Sequence, residues 1–434
     1  MDKMADVLGR AGAWCGQNKY LSAIKNAFQN FMPLTIAGAI GVLWCNVLVN
    51  ESTGLGIFFK PIMALEFLNP AFQAVNFCTI SCITVGITLG IAQEIGVWNM
   101  GAEKAGYIPG LVGLAAWLSV TNTSHMVEGA KEAFTGIAGN ELGATGLFTG
   151  MIIGVLSVEL FCFFEKQDAL KIKMPEQVPP GVARAFEVLV PATITLIITA
   201  CIGSACYNLT GLYLNDVIKN GIQGPLGAVG ATIPGVMIIY LVIMLFWLVG
   251  IHGNNMLSAV KEALFTPLAL ENVEKFNKGE KPTNIINMYA LQMWGEFGGS
   301  GVTIGLVIAI MIFGKREDNK AIATLSLVPG LFNINETVTF GIPMVLNPIL
   351  GIPFVVAPLI TIIIGYVLTV IGFCPVACLT VPWTTPPIVF GFLACGANVM
   401  GAVTQAILIV VSTVIYTPFL ISYEKYQNKQ AVEA

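Results

Sequence analysis

Apolar residues run along this chain in long unbroken stretches, not in the short alternations of a soluble fold. A helix that crosses a bilayer takes about 20 mostly apolar residues. Runs of that kind cover 29–50, 70–92, 105–122, 145–165, 186–207 and 225–250. Beyond residue 250 the pattern breaks up. Residues 251–298 mix apolar turns with charges and glycines, 299–314 forms another span, 321–347 is broken again, and 349–373 is a span. A Pro-rich break covers 374–387 and a last span covers 398–424. The pattern predicts an all-α polytopic membrane protein with nine or ten spans. Ahead of the first span, Val7, Ala11, Trp14, Leu21, Ile24 and Phe28 recur near helical spacing, which predicts an amphipathic surface helix over 1–28.

Two broken segments interrupt the apolar pattern. One runs from Trp247 to Gly301 and contains G-I-H-G-N-N and W-G-E-F-G-G-S-G; the other is P-G-L-F-N-I-N-E-T-V-T-F-G-I-P, 329–343. Gly and Pro at both ends of a short apolar piece mark a helix that stops inside the membrane. Exposed backbone at that depth must line protein or a water-filled cavity, and transporters use such half-helices to present polar groups to substrate. Re-entrant hairpins are expected near 252–298 and 321–347.

Composition agrees with the span pattern. Only 11% of the 434 residues are charged and the mean hydropathy is +0.79, against about 25% charged in average soluble domains. The net charge of −4 and the lack of a long basic run argue against nucleic-acid binding. Most of the ten cysteines lie inside apolar runs and do not form a disulfide framework. No P-loop, no H-E-x-x-H and no Arg stripe is present, so neither nucleotide cofactor, metal centre nor voltage sensor is expected. With the N-terminus inside, the inner segments up to 185 hold Lys3, Arg10, Lys19, Lys25, Lys104, Lys166, Lys171, Lys173 and Arg184, and the outer loops up to 224 hold Lys60, Lys131 and Lys219. That asymmetry puts the N-terminus in the cytoplasm. The Pro-containing loop at 166–184 divides an N-terminal half, 29–185, from a C-terminal half, 186–434.

Between Lys320 and Glu424 the one charged residue is Glu336. A lone carboxylate in an apolar segment costs several kcal/mol on insertion scales, so Glu336 is a candidate substrate contact or base, with a helix cap as the structural alternative. His252, flanked by Gly250 and Gly253, is a candidate partner for a ligand hydroxyl; a histidine satisfied by backbone carbonyls is the alternative. Glu296 reads equally as a salt-bridge partner or a substrate contact. Trp247 and Trp383 border the broken segments, where an indole face packs on the C–H face of a sugar ring or anchors at an interface. Asn254, Asn255, Ser300, Asn333, Asn335 and Thr384 complete the candidate substrate-binding set.

Four motifs, V-P-P-G-V-A-R-A-F (178–186), G-I-H-G-N-N (250–255), N-I-N-E-T-V-T-F-G-I-P-M-V-L-N-P (333–348) and V-P-W-T-T-P-P-I (381–388), occur in that order. They resemble the membrane component, enzyme IIC, of bacterial phosphoenolpyruvate-dependent sugar phosphotransferase systems, in the lactose/cellobiose/N,N′-diacetylchitobiose branch. The resemblance covers nearly the whole chain. It implies a homodimer in the cytoplasmic membrane, with about ten transmembrane helices and two re-entrant hairpins per subunit, an N-terminal dimerisation half and a C-terminal sugar-binding half. It places the family's functional His and Glu on His252 and Glu336. It also implies a β-linked disaccharide substrate, released inside as the 6-phosphate. The phosphate comes from a phosphocysteine on a IIB protein, fed in turn by IIA, HPr and enzyme I. The chain is then the membrane subunit of a protein-phosphocysteine–sugar phosphotransferase (EC 2.7.1 type). No soluble domain follows residue 424, so IIB is expected on a separate chain. One departure is Thr337, where the family usually has Pro. Cellobiose, diacetylchitobiose, lactose and other β-glucosides all fit this reading. The competing classes are an ion-coupled secondary transporter, with Glu336 as proton carrier, and a channel or membrane scaffold.

Overall fold

The computed structural model describes residues 17–51, 59–125, 134–175, 177–225, 230–342 and 344–433, with Arg10, Ala13, Trp14 and Gly56 besides. It is built almost wholly of helices. Among the described residues, six stretches are long and apolar enough to cross a membrane: Lys19–Leu48, Lys60–Met100, Ala144–Glu165, Pro180–Thr210, Gly351–Val370 and Val399–Gln430. Three shorter apolar helices, Ile108–Val120, Ile233–Leu248 and Ile304–Phe313, stand where spans were expected. Among the described residues, one two-residue ladder pairs β1 (Ser124–His125) with β2 (Phe134–Thr135).

The chain forms two compact units, one of residues 17–38 and 74–228, the other of 1–16, 39–73 and 229–434. The helix α1 (Lys19–Leu43) begins in the first, and its early turns are the part of the expected 1–28 surface helix that is described beyond Arg10, Ala13 and Trp14. Val7 and Ala11 lie outside the described residues. Lys19 reaches Glu159 at 2.6 Å and Asn99 at 3.1 Å, and Asn26 donates to Glu94 at 2.9 Å. The expected span 70–92 is two helices, α2 (Asn69–Cys78) and α3 (Ile83–Met100), with a kinked turn at Thr79–Cys82 between them. Thr79 Oγ1 donates back to the Val75 carbonyl at 2.6 Å, and its backbone leaves the helical region. A hydroxyl bonding back in this way bends helices.

Beyond the kink at Thr79–Cys82, the first unit is a bundle of continuous helices. α3 packs on α4 (Ile108–Val120) and α5 (Ala144–Glu165), and α6 (Pro180–Thr210) joins them. Small residues set the approach. A side chain added at Gly96 would strike Pro109, at Gly113 Ala92, and at Gly150 Thr88. Lipid provides no hydrophobic push between helices, so close backbone contact of this kind has to supply the packing. Pro180 opens α6 at its first turn, where its missing N–H costs nothing. Arg184, one turn on, pairs with Glu165 at 3.0 Å and Glu187 at 2.7 Å.

The second unit interrupts its helices. α7 (Ile233–Leu248) is followed by the short helix Gly253–Met256 and then α8 (Ser258–Asn277), α9 (Met288–Gly295) and α10 (Ile304–Phe313). At 1.5 Å per residue, the ten residues of α10 reach about half the hydrocarbon thickness. The expected span 299–314 is therefore a half-length helix. Its first turns are replaced by a loop in which Gly298, Gly299, Gly301 and Val302 all have positive φ. α11 (Glu317–Leu331), α12 (Glu336–Gly341), α13 (Gly351–Val370), α14 (Val389–Ala394) and α15 (Val399–Glu433) complete the unit. α15 runs against both α10 and α13. Its Glu424, nearly fully buried, accepts hydrogen bonds from the Lys315 and Arg316 amides and from Asn319, which ties it to the start of α11. The nine described cysteines are free thiols.

Candidate functional site

The two interrupted segments carry His252 and Glu336, and the fold brings them together. His252 caps the short helix Gly253–Met256: its Nδ1 accepts the Asn255 amide at 3.2 Å. With Nδ1 used as an acceptor, the neutral imidazole carries its proton on Nε2. That atom lies 3.9 Å from Glu336 Oε1. This is beyond hydrogen-bond distance, and the two side chains are 36% and 48% exposed, so neither is used up by the other. Gly253 is required next to His252, because any side chain there would strike the Ile243 carbonyl. Trp247 lies beneath the imidazole with ring centroids 4.5 Å apart; it is buried, backed edge-on by Phe354, and its indole N–H has no partner.

A third segment, 296–303, ties these residues into one structure. Asn254 Nδ2 donates to Ser300 Oγ at 2.8 Å, and Asn335 Nδ2 donates to the Ser300 carbonyl at 2.7 Å. The Gly298 amide donates to Asn333 Oδ1 at 2.6 Å, and Asn333 Nδ2 donates to the carbonyls of Trp383 and Thr385. Gly299, at φ +88°, passes so close to Asn335 that an added Cβ would lie 2.7 Å from the Asn335 Cβ. The glycines of W-G-E-F-G-G-S-G thus serve a backbone crossing. Ser300 and Asn335 are buried within this mesh. Trp383 is 44% exposed; Thr384 beside it is half-buried and Asn255 is exposed.

Glu296 does not stand free. Its Oε1 accepts the Tyr240 hydroxyl at 2.7 Å and pairs closely with Lys261 Nζ. Lys261 also donates to Asn254 Oδ1 at 3.3 Å and lies 5.5 Å over the Tyr240 ring. Neither Tyr240 nor Lys261 stands out along the chain. Tyr240 sits in a strongly apolar run, and Lys261 among the mixed charges of 251–298. The available signal was a lysine in the first turn of a helix that carries the G-I-H-G-N-N motif just ahead of it. No group of three or more His, Cys, Asp or Glu residues able to hold a metal occurs among the described residues.

Comparison with known proteins assigns the chain to a family. A family model, Phosphotransferase system, EIIC, matches residues 25–358. The chain belongs to this family. It is 32% identical to the oligo-beta-mannoside-specific EIIC component of Bacillus subtilis (strain 168), over all of this chain and 97% of that one. It is 29% identical to the cellobiose-specific EIIC component of Lactococcus lactis subsp. lactis (strain IL1403), over 98% of each. The crystal structure of the transporter ChbC, the IIC component from the N,N′-diacetylchitobiose-specific phosphotransferase system, superposes with TM-score 0.88 at 29% identity, covering 96% of each chain. This EIIC chain is therefore an all-α membrane protein and the sugar-transporting component of a phosphotransferase system, not an ion-coupled carrier.

Proposed function

We propose that this EIIC chain binds a β-linked disaccharide, such as cellobiose or diacetylchitobiose, and presents its 6-hydroxyl for phosphorylation. The observation that carries this is the open 3.9 Å gap between His252 Nε2 and Glu336 Oε1. One hydroxyl oxygen at about 2.8 Å from each atom bridges it, accepting from the imidazole and donating to the carboxylate. In the transfer, the sugar oxygen forms a bond to phosphorus, the bond from phosphorus to the IIB cysteine sulfur breaks, and the hydroxyl proton passes to Glu336. The cysteine leaves as thiolate. Such transfers rest mostly on positioning and charge, which suits a site whose donor arrives on another protein. Trp383 is exposed enough to offer a stacking surface for a sugar ring.

The Lys and Arg asymmetry supports a cytoplasmic N-terminus in the bacterial membrane, and a IIB protein docking on the inner face near the basic loop 166–173. The uninterrupted helices of the N-terminal half suit a homodimer scaffold, and the broken C-terminal half suits sugar binding. The test is to present purified protein with radiolabelled cellobiose, diacetylchitobiose, β-mannobiose and lactose, then add phosphorylated IIB. Saturable binding of one of them and its recovery as 6-phosphate is the expected result. Accumulation of free sugar alone in cells, or crosslinks to IIB only at outer loops, sinks the reading.

A further inference from the structure

Lys261 and Glu296 form a buried ion pair next to the proposed site, and no step of the transfer uses it. We infer that this pair is a positioning device: it holds Asn254, and through Asn254 sets the spacing between His252 and Glu336. The inference rests on the sugar-site reading above.

Burying such a pair is costly. Lys261 is 6% exposed and the Glu296 side chain 17%, and taking two charges out of water is repaid only with good geometry and further hydrogen bonds. Both are present. Glu296 Oε1 receives the Tyr240 hydroxyl as well as the ammonium, and Lys261 Nζ spends a second N–H on Asn254 Oδ1. A buried pair contributes little net stability over an apolar replacement of similar volume. Its effect lies in the direction its hydrogen bonds impose. With Oδ1 held by Lys261, the Asn254 amide points its Nδ2 at Ser300 Oγ, 2.8 Å away. Ser300 in turn accepts Asn335 at its carbonyl, and Asn335 immediately precedes Glu336. At the other end, Asn254 lies two residues from His252, on the short helix that His252 caps. One polar chain, Lys261 to Asn254 to Ser300 to Asn335, thus joins the two segments whose tips face each other at 3.9 Å. A displacement of 1 Å at the reacting atoms is enough to cost about a hundredfold.

The experiment uses the full chain in lipid nanodiscs with four variants: Lys261→Met/Glu296→Gln as a charge-free pair, Asn254→Ala, the triple combination, and Glu336→Gln. Each is measured for thermal melting, for the Kd of whichever of the four disaccharides binds the parent best, and for the rate of phosphorylation by phospho-IIB. The charge-free pair leaves no unpaired buried charge, so it is expected to melt within a few degrees of the parent. Its phosphorylation rate is expected to fall at least tenfold. If Lys261 acts through Asn254, the triple variant is no slower than Asn254→Ala alone. The inference is overturned by a charge-free pair that phosphorylates within twofold of the parent, by one that does not fold, or by losses that multiply in the triple variant. If Glu336→Gln is itself normal in binding and transfer, the sugar-site reading fails; if only the pair variant is normal, the site stands and the positioning role falls.

Discussion

The unit of residues 17–38 and 74–228 and the unit of 39–73 and 229–434 meet the same demand by different means. Backbone amides and carbonyls in a membrane must find partners within the protein. In the first unit the long helices satisfy their own, and hydroxyls such as Thr121, Ser157 and Thr195 bond to carbonyls four residues back. In the second, helices stop short and asparagines take over. Asn272 accepts the Thr283 and Asn284 amides and donates to the Asn284 and Ala377 carbonyls. Asn287 caps α9 and also reaches Ala377, and Asn333 holds Gly298, Trp383 and Thr385 together. An asparagine both donates and accepts, so one side chain can stand in for two missing backbone partners. Irregular backbone fixed in this way can turn backbone groups and short-helix ends toward a ligand, which a continuous helix cannot do.

The largest break in this contrast is expected at Glu336. Glu336→Gln keeps the shape and one acceptor but loses the charge. A hydrogen bond to a charged group is worth roughly 1.5–3 kcal/mol, so disaccharide affinity is expected to fall about ten- to a hundredfold. Phosphorylation falls a further factor of about 10²–10⁴ with the loss of a general base. Measuring binding and transfer separately on a folded variant decides it, and near-normal values for both would show that Glu336 only caps α12.

Asn333→Ala comes next. It leaves one amide and two carbonyls without their partner, at about 1–3 kcal/mol for each buried group. Sugar affinity is expected to drop at least tenfold together with the melting temperature, because Trp383 and the 296–303 loop lose a shared tether. Unchanged binding would mean that the mesh is not part of the site.

A substitution in the uninterrupted unit sharpens the comparison from the other side. Gly150→Val drives a branched side chain into Thr88, and overpacking of this kind costs about 1–3 kcal/mol. The melting temperature should fall while the folded fraction keeps the parent's disaccharide Kd within twofold. A large loss of affinity at unchanged stability would contradict the division of labour.

The smallest effect is expected at the surface. The hydrogen bonds from Arg316 hold the Asp318 carboxyl below its ordinary value. A depressed folded value means that its contribution is present above the unfolded value of about 3.9 and is lost as pH falls through the folded one. Asp318→Asn should therefore lower stability by no more than about 1 kcal/mol, by the same amount at pH 7 and pH 5. The difference from the parent should shrink below roughly pH 4, as read by melting curves. A difference that grows on acidification would have the wrong sign.

The sequence by itself determined the membrane class, the spans of 145–165, 349–373 and 398–424 to within a few residues at nearly every end, and both interrupted segments, because hydropathy over 20 residues and Gly/Pro punctuation are local properties. The last of these helices runs on past its apolar stretch to Glu433. The sequence also exposed Glu336, since one charge in about a hundred apolar residues needs no neighbour to be noticed. Tertiary structure alone decided that Glu296 belongs to Lys261 and Tyr240, that Ser300 and Asn335 bind each other, and that Trp383 is open while Trp247 is buried. It alone decided that 299–303 is loop, with Asn335 packed against Gly299 and bound to the Ser300 carbonyl. These outcomes depend on which partners arrive from 35 to 56 residues away. A hydrogen bond reports the distance between two atoms in space, and no window along the chain contains both.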